Sequence, residues 1–157
     1  MTILGPEQTV TSIYLPTSPI KGDQWHYNNI DAVQSLIDLN GNHWRKILTI
    51  AAKLSVTGQN WRQYRDANLL KQHEAIITAA VSLQPNSTTH IICGHESALA
   101  LGLQWNSANY KPLIAGDNKL LKHHQLPIYL CPYLDYRQFP NHHINIVRQA
   151  LGKVLLD

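Results

Sequence analysis

Residues 126–151, LPIYLCPYLDYRQFPNHHINIVRQAL, place a short apolar strand, a polar aromatic turn and an amphipathic helix in direct succession. Residues 128–130 are apolar and favour a strand, and residues 132–140 contain the prolines and polar side chains of a turn. The helix is predicted to begin near Asn141. Its apolar residues recur at helical spacing: Ile144, Val147, Leu151 and Val154. The stretch therefore predicts one strand–turn–helix unit of an α/β fold.

A second unit of the same kind lies at residues 88–103, TTHIICGHESALALGL. Residues 88–93 form the predicted strand, and Gly94 leads directly into a predicted helix. Upstream, residues 10–15 predict another strand, which runs into a loop over residues 16–28 that is rich in Pro, Gly and Asn.

The pattern between these strands is mostly helical. Two helices are predicted on either side of the breaker Asn40-Gly41, the second of them ending at Gly58. A third helix is predicted from Asp66 to the turn at Pro85. Its apolar stripe contains Leu69, Leu70, His73, Ile77, Ala80 and Val81. Residues 59–65 fit either a short edge strand or an irregular connection, and residues 105–124 are loop-like with a short strand at 112–115.

Strands that alternate with helices predict a three-layer α/β/α domain with a short, mostly parallel central sheet, because parallel neighbours need crossover connections. A length of 157 residues with 44% hydrophobic and 15% charged residues suits one domain over residues 1–157. Ligands in such folds gather at the carboxyl ends of strands. Here those ends are the 16–28 loop, the 94–97 turn and the 132–138 turn.

The composition also bounds the cellular context. No apolar run is long enough to cross a bilayer, and the first residues lack the charged start and long apolar block of a signal peptide, so we expect a cytoplasmic protein that does not bind membranes. Cys93 and Cys131 each belong to an apolar strand-like run, which predicts buried, reduced thiols.

Positive charge is concentrated between residues 41 and 65, although the net charge is only +3. This stretch contains no acidic residue and interleaves its cations with Trp44, Trp61 and Tyr64. Basic side chains beside aromatic ones can neutralise phosphates and stack on bases, so the stretch is a candidate nucleic-acid surface. Its cations are Arg45, Lys46, Lys53, Arg62 and Arg65. The alternative is a solvated helix face with tryptophans in the core.

The three strand-end loops contain the candidate site. Asp23 and Asp135 are the candidate catalytic acid or base. The candidate ligand-binding residues are Pro19, His26, Gly94, His95, Ser97, Tyr133, Tyr136 and Arg137. Tyrosines offer an aromatic platform, and Arg137 offers a cation for phosphate. The alternative is a tyrosine-rich turn whose charged residues are solvated.

Two other chemistries have weaker support. Nine histidines are present, but the pairs His123-His124 and His142-His143 are adjacent and no HxxxH, HxH or CxxC occurs, so we expect no metal and no cofactor. Ser97 follows a strand closely enough to be a hydrolase nucleophile, although the G-x-S-x-G spacing is absent.

The segments HIICGHESALALGL and LPIYLCPYLDYRQFPN resemble the strand–glycine–helix unit and the closing base-facing loop of the uracil-DNA glycosylase superfamily. The order of the helices and strands is also similar over most of the chain. The resemblance implies the three-layer fold and a site for a nucleobase.

The catalytic motifs of that superfamily are not retained. The first loop, Leu15 to Pro19, has no glycine and no acid before Asp23, and the positions of the usual His-Pro-Ser motif hold Tyr133, Leu134 and Asp135. The base-reading asparagine would be Asn60 or Asn68. With two cysteines, the chain departs from the four-cysteine iron–sulfur branch.

We therefore expect a diverged member of that superfamily that binds a nucleobase, a nucleotide or nucleic acid and lacks standard glycosylase activity. A non-catalytic protein-interaction or structural domain with the same fold is the first alternative. A small serine hydrolase that uses Ser97 is the second.

Overall fold

The computed structural model describes all of residues 1–157 and contains a seven-stranded sheet with five α-helices. The strands are β1 (Thr2–Leu4), β2 (Thr11–Leu15), β3 (Glu74–Thr78), β4 (Thr89–Cys93), β5 (Tyr110–Ile114), β6 (Asp117–His123) and β7 (Ile128–Cys131). The helices are α1 (Ala32–Asn40), α2 (Asn42–Ser55), α3 (Trp61–Gln63), α4 (His95–Ala100) and α5 (Asn141–Ala150). A π-helical turn over Tyr64–Asn68 continues α3.

The sheet is mixed, with the strand order β1-β3-β2-β4-β7-β6-β5. The four central strands β3, β2, β4 and β7 run parallel, whereas β1, β6 and β5 are added by antiparallel pairings. Three of the six pairings are thus parallel, so the predicted mostly parallel sheet is limited to the centre. The expectation of an α/β fold is confirmed.

Side chains that alternate along the strands form two hydrophobic cores. On one face Ile13 and Ile91 pack with α1, α2 and α5, and on the other Tyr14 and Ile92 pack with α4 and with the chain that follows it. Successive strand residues point to opposite faces, so the sheet is covered on both sides.

The predicted helix from Asp66 to Pro85 is wrong, because Glu74–Thr78 is strand β3. All five residues of β3 are buried, since the strand lies between β1 and β2 and is covered on both faces. Such a strand has a continuous apolar run instead of an alternating one, and periodicity alone does not separate it from a buried helix.

Two other segments differ from the expectation. Residues 59–65 are neither an edge strand nor irregular, because α3 and the π-helical turn begin there. The predicted short strand at 112–115 overlaps β5, which ends at Ile114, but β5 pairs with β6 in a hairpin where a loop was expected. The edge strand β1 was not predicted.

Both cysteines are buried free thiols, as expected, and they lie side by side as register partners on the parallel strands β4 and β7. The longest helix, α2, has 14 residues, and no helix is long and apolar enough to span a bilayer.

Candidate functional site

A cavity of about 590 Å³ lies at the carboxyl ends of β2, β4 and β7. Its lining residues are Pro16, Cys93, Gly94, His95, Glu96, Trp105, Lys119, Pro132, Tyr133, Arg137 and Gln138. From β2 the chain crosses to β3 on one side in the sheet, and from β4 it continues towards β7 on the other side. The point between the parallel strands β2 and β4 is therefore a topological switch point, where the order of the strands reverses. Ligands of open α/β sheets bind at such switch points.

Two of the three predicted loops meet in this cavity, namely the turns at 94–97 and 132–138. The 16–28 loop contributes only Pro16 and then crosses towards α1. Its path is held by Asn40, which bonds the backbone of Ile20 at 2.7 and 2.8 Å, and by Lys71, which donates to the carbonyls of Tyr27 and Asn29.

Three predicted site residues of that loop therefore lie outside the cavity: Pro19, Asp23 and His26. Asp23 and His26 are exposed, and the His26 ring stacks on Tyr27 with centroids 4.4 Å apart. Trp25 is held by its indole N–H, which donates to the carbonyl of Ala32 at 2.8 Å. These contacts give the loop a structural role at the start of α1.

The cavity combines an aromatic surface with charged groups. The rings of His95 and Trp105 lie 4.0 Å apart, and the indole N–H of Trp105 donates to the carbonyl of Asn118 at 2.8 Å. Lys119 and Arg137 supply two cations and Glu96 one carboxylate. A planar ring with an anionic substituent matches this set, because aromatic faces stack on rings and Arg recognises phosphate.

Tyr133 lines the cavity and is held from α2. Its hydroxyl shares a hydrogen bond of 2.9 Å with Nε2 of His43, and the two rings stack with centroids 5.8 Å apart. Gly94, at φ +96°, lies against Tyr133, which a Cβ there would meet at 3.8 Å. Burial raises the pKa of the Tyr133 phenol, and Cys93, Glu96 and Asp135 raise it further.

Asp135 does not line the cavity. Its carboxylate accepts the backbone N–H of Arg137 at 3.0 Å and lies 3.5 Å from Nζ of Lys46. The N–H of Arg137 and the Lys46 ammonium lower the pKa of Asp135, so this carboxyl is ionised at neutral pH. Its contacts hold the turn against α2, and Glu96 is the carboxylate that faces the cavity.

Ser97 is 4% exposed, and its hydroxyl has no hydrogen-bond partner. No histidine lies within hydrogen-bond distance, so the serine–histidine pair of a hydrolase is not formed. The side chain lines a smaller apolar cavity of about 220 Å³, which adjoins the larger one at Pro16 and Glu96. No group of three or more His, Cys, Asp or Glu side chains is close enough to hold a metal ion.

The basic–aromatic row, defined as Lys46, Tyr136, Lys53, Trp61, Arg62 and Arg65, begins beside the cavity. Lys46 and Lys53 both lie 5.9 Å from the Tyr136 ring centroid. Lys53, Arg62 and Arg65 surround Trp61 at 4.6, 5.0 and 5.5 Å. All these separations are within cation–π range.

Four of the five predicted surface cations thus belong to one row, and Arg45 is exposed elsewhere on α2. Arg65 is paired with Asp66 at 2.8 Å, and Lys46 with Asp135. Lys53 and Arg62 have no carboxylate within 4.0 Å. No acidic side chain therefore competes with an anionic partner for these two cations.

Sequence reasoning missed His43, Trp105, Glu96 and Lys119. Trp105 and Lys119 lie in the stretch that was expected to be a loop, and the β5–β6 hairpin brings them to the cavity. His43 is in the first turn of α2, and its partner is ninety residues away. No local signal identifies such a contact.

Among the comparisons with known proteins, one identifies a family to which the chain is similar. No curated protein and no solved structure matches the chain. A family model described as a family of unknown function, DUF6942, matches residues 2–152. The match covers nearly the whole chain, which therefore belongs to the DUF6942 family.

Proposed function

We propose that this chain is a diverged uracil-DNA glycosylase-like protein that binds a nucleotide unit of single-stranded nucleic acid and lacks standard glycosylase activity. The observation that carries the proposal is the continuity between the cavity and the basic–aromatic row. Tyr136 of the row and Arg137 of the cavity are consecutive residues of one turn. A strand bound along the row would have its next nucleotide at the cavity.

The chemistry of the two surfaces supports the same ligand. Aromatic side chains on which bases stack and cations that follow the backbone are the two components of sequence-independent single-strand binding. In the cavity, Trp105 and Tyr133 provide ring surface and Lys119 and Arg137 provide cations. Glu96 offers a carboxylate acceptor for an N–H of the ligand.

The fold assignment is part of the proposal. A parallel centre of four strands with helices on both faces supports a three-layer α/β/α arrangement of the uracil-DNA glycosylase kind. Lack of glycosylase activity is proposed because Asp23 and Asp135 do not reach the cavity and the histidine that would stabilise the leaving base is replaced at 133–135.

The direct test is fluorescence anisotropy with a labelled single-stranded oligothymidylate over about 50 to about 200 mM salt. We expect binding that weakens steeply with salt and competition by uridine monophosphate, together with no uracil release from a uracil-containing strand. No salt-dependent binding to single-stranded DNA or RNA would overturn the nucleic-acid proposal. Uracil release at a rate above that of buffer would overturn the inactive assignment.

A second candidate is a protein-interaction domain. Val81 is 79% exposed and borders the apolar cavity that Ala79, Ala80 and Leu101 also line, so this face resembles a docking surface. Light scattering separates the two candidates. A dimer that Val81→Glu dissociates, without nucleic-acid binding, would favour the interaction domain.

A further inference from the structure

A second polar cavity, of about 380 Å³, lies at the opposite ends of the central strands, where the amino ends of β2, β3 and β4 meet. It is lined by Val10, Thr11, Ser55, Thr57, Tyr64, His73, Glu74, Thr89, Leu151 and Lys153. The proposed function uses none of these residues. Ser55 has a buried hydroxyl without a hydrogen-bond partner, so this wall has unused polar capacity.

The amine of Lys153 is fixed in this cavity. Its Nζ donates to the carbonyls of Leu54 and Ser55 at 2.9 and 2.8 Å, at the carboxyl end of α2. No carboxylate lies within 4.0 Å of it. Two of the three positions around the nitrogen are thus occupied by carbonyls, and the remaining one is free for a molecule in the cavity.

The surroundings increase the neutral, nucleophilic fraction of the amine. Burial, and then the Arg148 guanidinium, lower the pKa of Lys153 to about 8, and Glu74 opposes the shift. Glu74 is 1% exposed, and its carboxylate accepts the Tyr64 hydroxyl at 2.6 Å and the Leu70 N–H at 2.8 Å. A lysine held in this way resembles the amines that form Schiff bases with carbonyl compounds.

We propose that Lys153 captures a small aldehyde or ketone in this cavity as an imine. The lone pair of Nζ forms a bond to the carbonyl carbon as the C=O π bond breaks, and one amine hydrogen passes to the oxygen as a proton, which gives a carbinolamine. The C–O bond then breaks and the hydroxyl leaves as water with the second amine hydrogen, while the nitrogen lone pair forms the C=N bond. No oxidant or reductant takes part. The inference is independent of the nucleic-acid proposal, because one site lies at the carboxyl ends of the central strands and the other at their amino ends.

The test uses the native full-length chain with glycolaldehyde and sodium cyanoborohydride, which reduces any imine to a stable secondary amine. Peptide mapping by mass spectrometry then gives the modification rate at each lysine. We expect Lys153 to react at least about tenfold faster than the exposed Lys111 and Lys119 near pH 8, because its lowered pKa leaves about half of its amine neutral at that pH. In the chain unfolded by urea, the three rates should become equal.

The pH dependence adds a second readout. The rate at Lys153 should reach half its maximum near pH 8, well below the ordinary lysine pKa of 10.5. The charged or titratable groups around the amine are Arg148 from α5, Glu74 from β3, and Tyr64 and His73 from the chain before β3. Modification of Lys153 no faster than Lys111 and Lys119 in the folded chain would overturn the proposal. Lys153→Arg should abolish the label at this position.

Discussion

The His43 imidazole and the Tyr133 phenol are joined by a hydrogen bond of 2.9 Å that links the first turn of α2 to the turn after β7. The same two elements are joined again by the Lys46–Asp135 pair at 3.5 Å. One side of the candidate cavity is therefore held from a helix that does not itself line the cavity. A change at His43 should consequently alter ligand binding in the cavity without removing any residue that lines it.

The ionisation of Tyr133 tests the buried position of its phenol. Its pKa is raised above the ordinary 10.0, chiefly by burial, so the phenol should stay protonated when exposed tyrosines ionise. In an ultraviolet titration, Tyr133→Phe should remove the phenolate absorbance of one tyrosine, and it should do so only at pH values above the ordinary pKa of 10.0. His43→Gln, which keeps the phenol, should leave that absorbance in place. A Tyr133 signal that appears below the ordinary value would contradict the buried position.

The basic–aromatic row gives the second prediction. Trp61→Ala and Tyr136→Ala should each weaken binding to a single-stranded oligonucleotide by about 1–3 kcal/mol, because each removes one stacking surface. Lys53→Met should lower the slope of log affinity against log salt by about 1. Both effects are measured by anisotropy. Lys111→Met, an exposed cation on β5, is the control and should change neither quantity. An equal effect in the control would show that net charge alone determines binding.

The sequence predicts those parts of the fold whose residue pattern lies within one short segment. The strand–glycine–helix unit around Gly94 and the strand–turn–helix unit that ends in α5 were predicted, because apolar periodicity and turn residues are local signals. Strand β3 was not, because tertiary burial on both faces removes its alternation.

The site divides in the same way. Gly94 and Tyr133 were predicted because they follow strands directly, and the carboxyl ends of neighbouring parallel strands meet. Asp23 was also expected there, but the long loop that contains it leaves the sheet edge to reach α1. A long loop gives little local information about its path, so its position depends on contacts such as that between Asn40 and Ile20.

Arg148 gives the third prediction. Its side chain is fully buried and donates to the carbonyls of Val154, Lys53, Val56, Thr57 and Gly58, so it closes the carboxyl end of α2 and holds the C-terminal segment. Arg148→Met should lower the free energy of unfolding by about 3–5 kcal/mol, because five carbonyls lose a donor, among them that of the buried Val56. Urea unfolding measures this loss.

The control for Arg148 is Arg137→Met, which removes an exposed arginine and should change the free energy of unfolding by less than about 0.5 kcal/mol. Arg148→Lys keeps the charge but cannot make five hydrogen bonds, so it should recover only part of the loss. Full recovery with lysine would show that charge at the end of α2, and not the hydrogen bonds, is what stabilises the fold.

The last prediction concerns stability against pH. The pKa of Lys153 is about 8 in the folded chain and 10.5 as the ordinary value, so between these pH values the unfolded chain holds a proton that the folded chain has lost. The free energy of unfolding therefore rises with pH in this window.

Tyr14 and Tyr133, whose pKa values are raised, lower the free energy of unfolding as the pH rises above 10.0. The pKa values of Cys93 and Cys131 are raised from the ordinary 9.0, so these thiols also act in the opposite direction to Lys153 within the window. Urea unfolding at about pH 7.5, 8.5 and 9.5 is therefore compared between the native chain and Lys153→Met, because both proteins share the thiol contribution. The two pKa values give about 2 kcal/mol over these two pH units, and solvent screening of the partly exposed amine reduces this. Relative to Lys153→Met, which does not titrate, the free energy of unfolding of the native chain should therefore rise by about 1–2 kcal/mol. Parallel profiles for the two proteins would mean that Lys153 keeps its ordinary pKa in the folded chain.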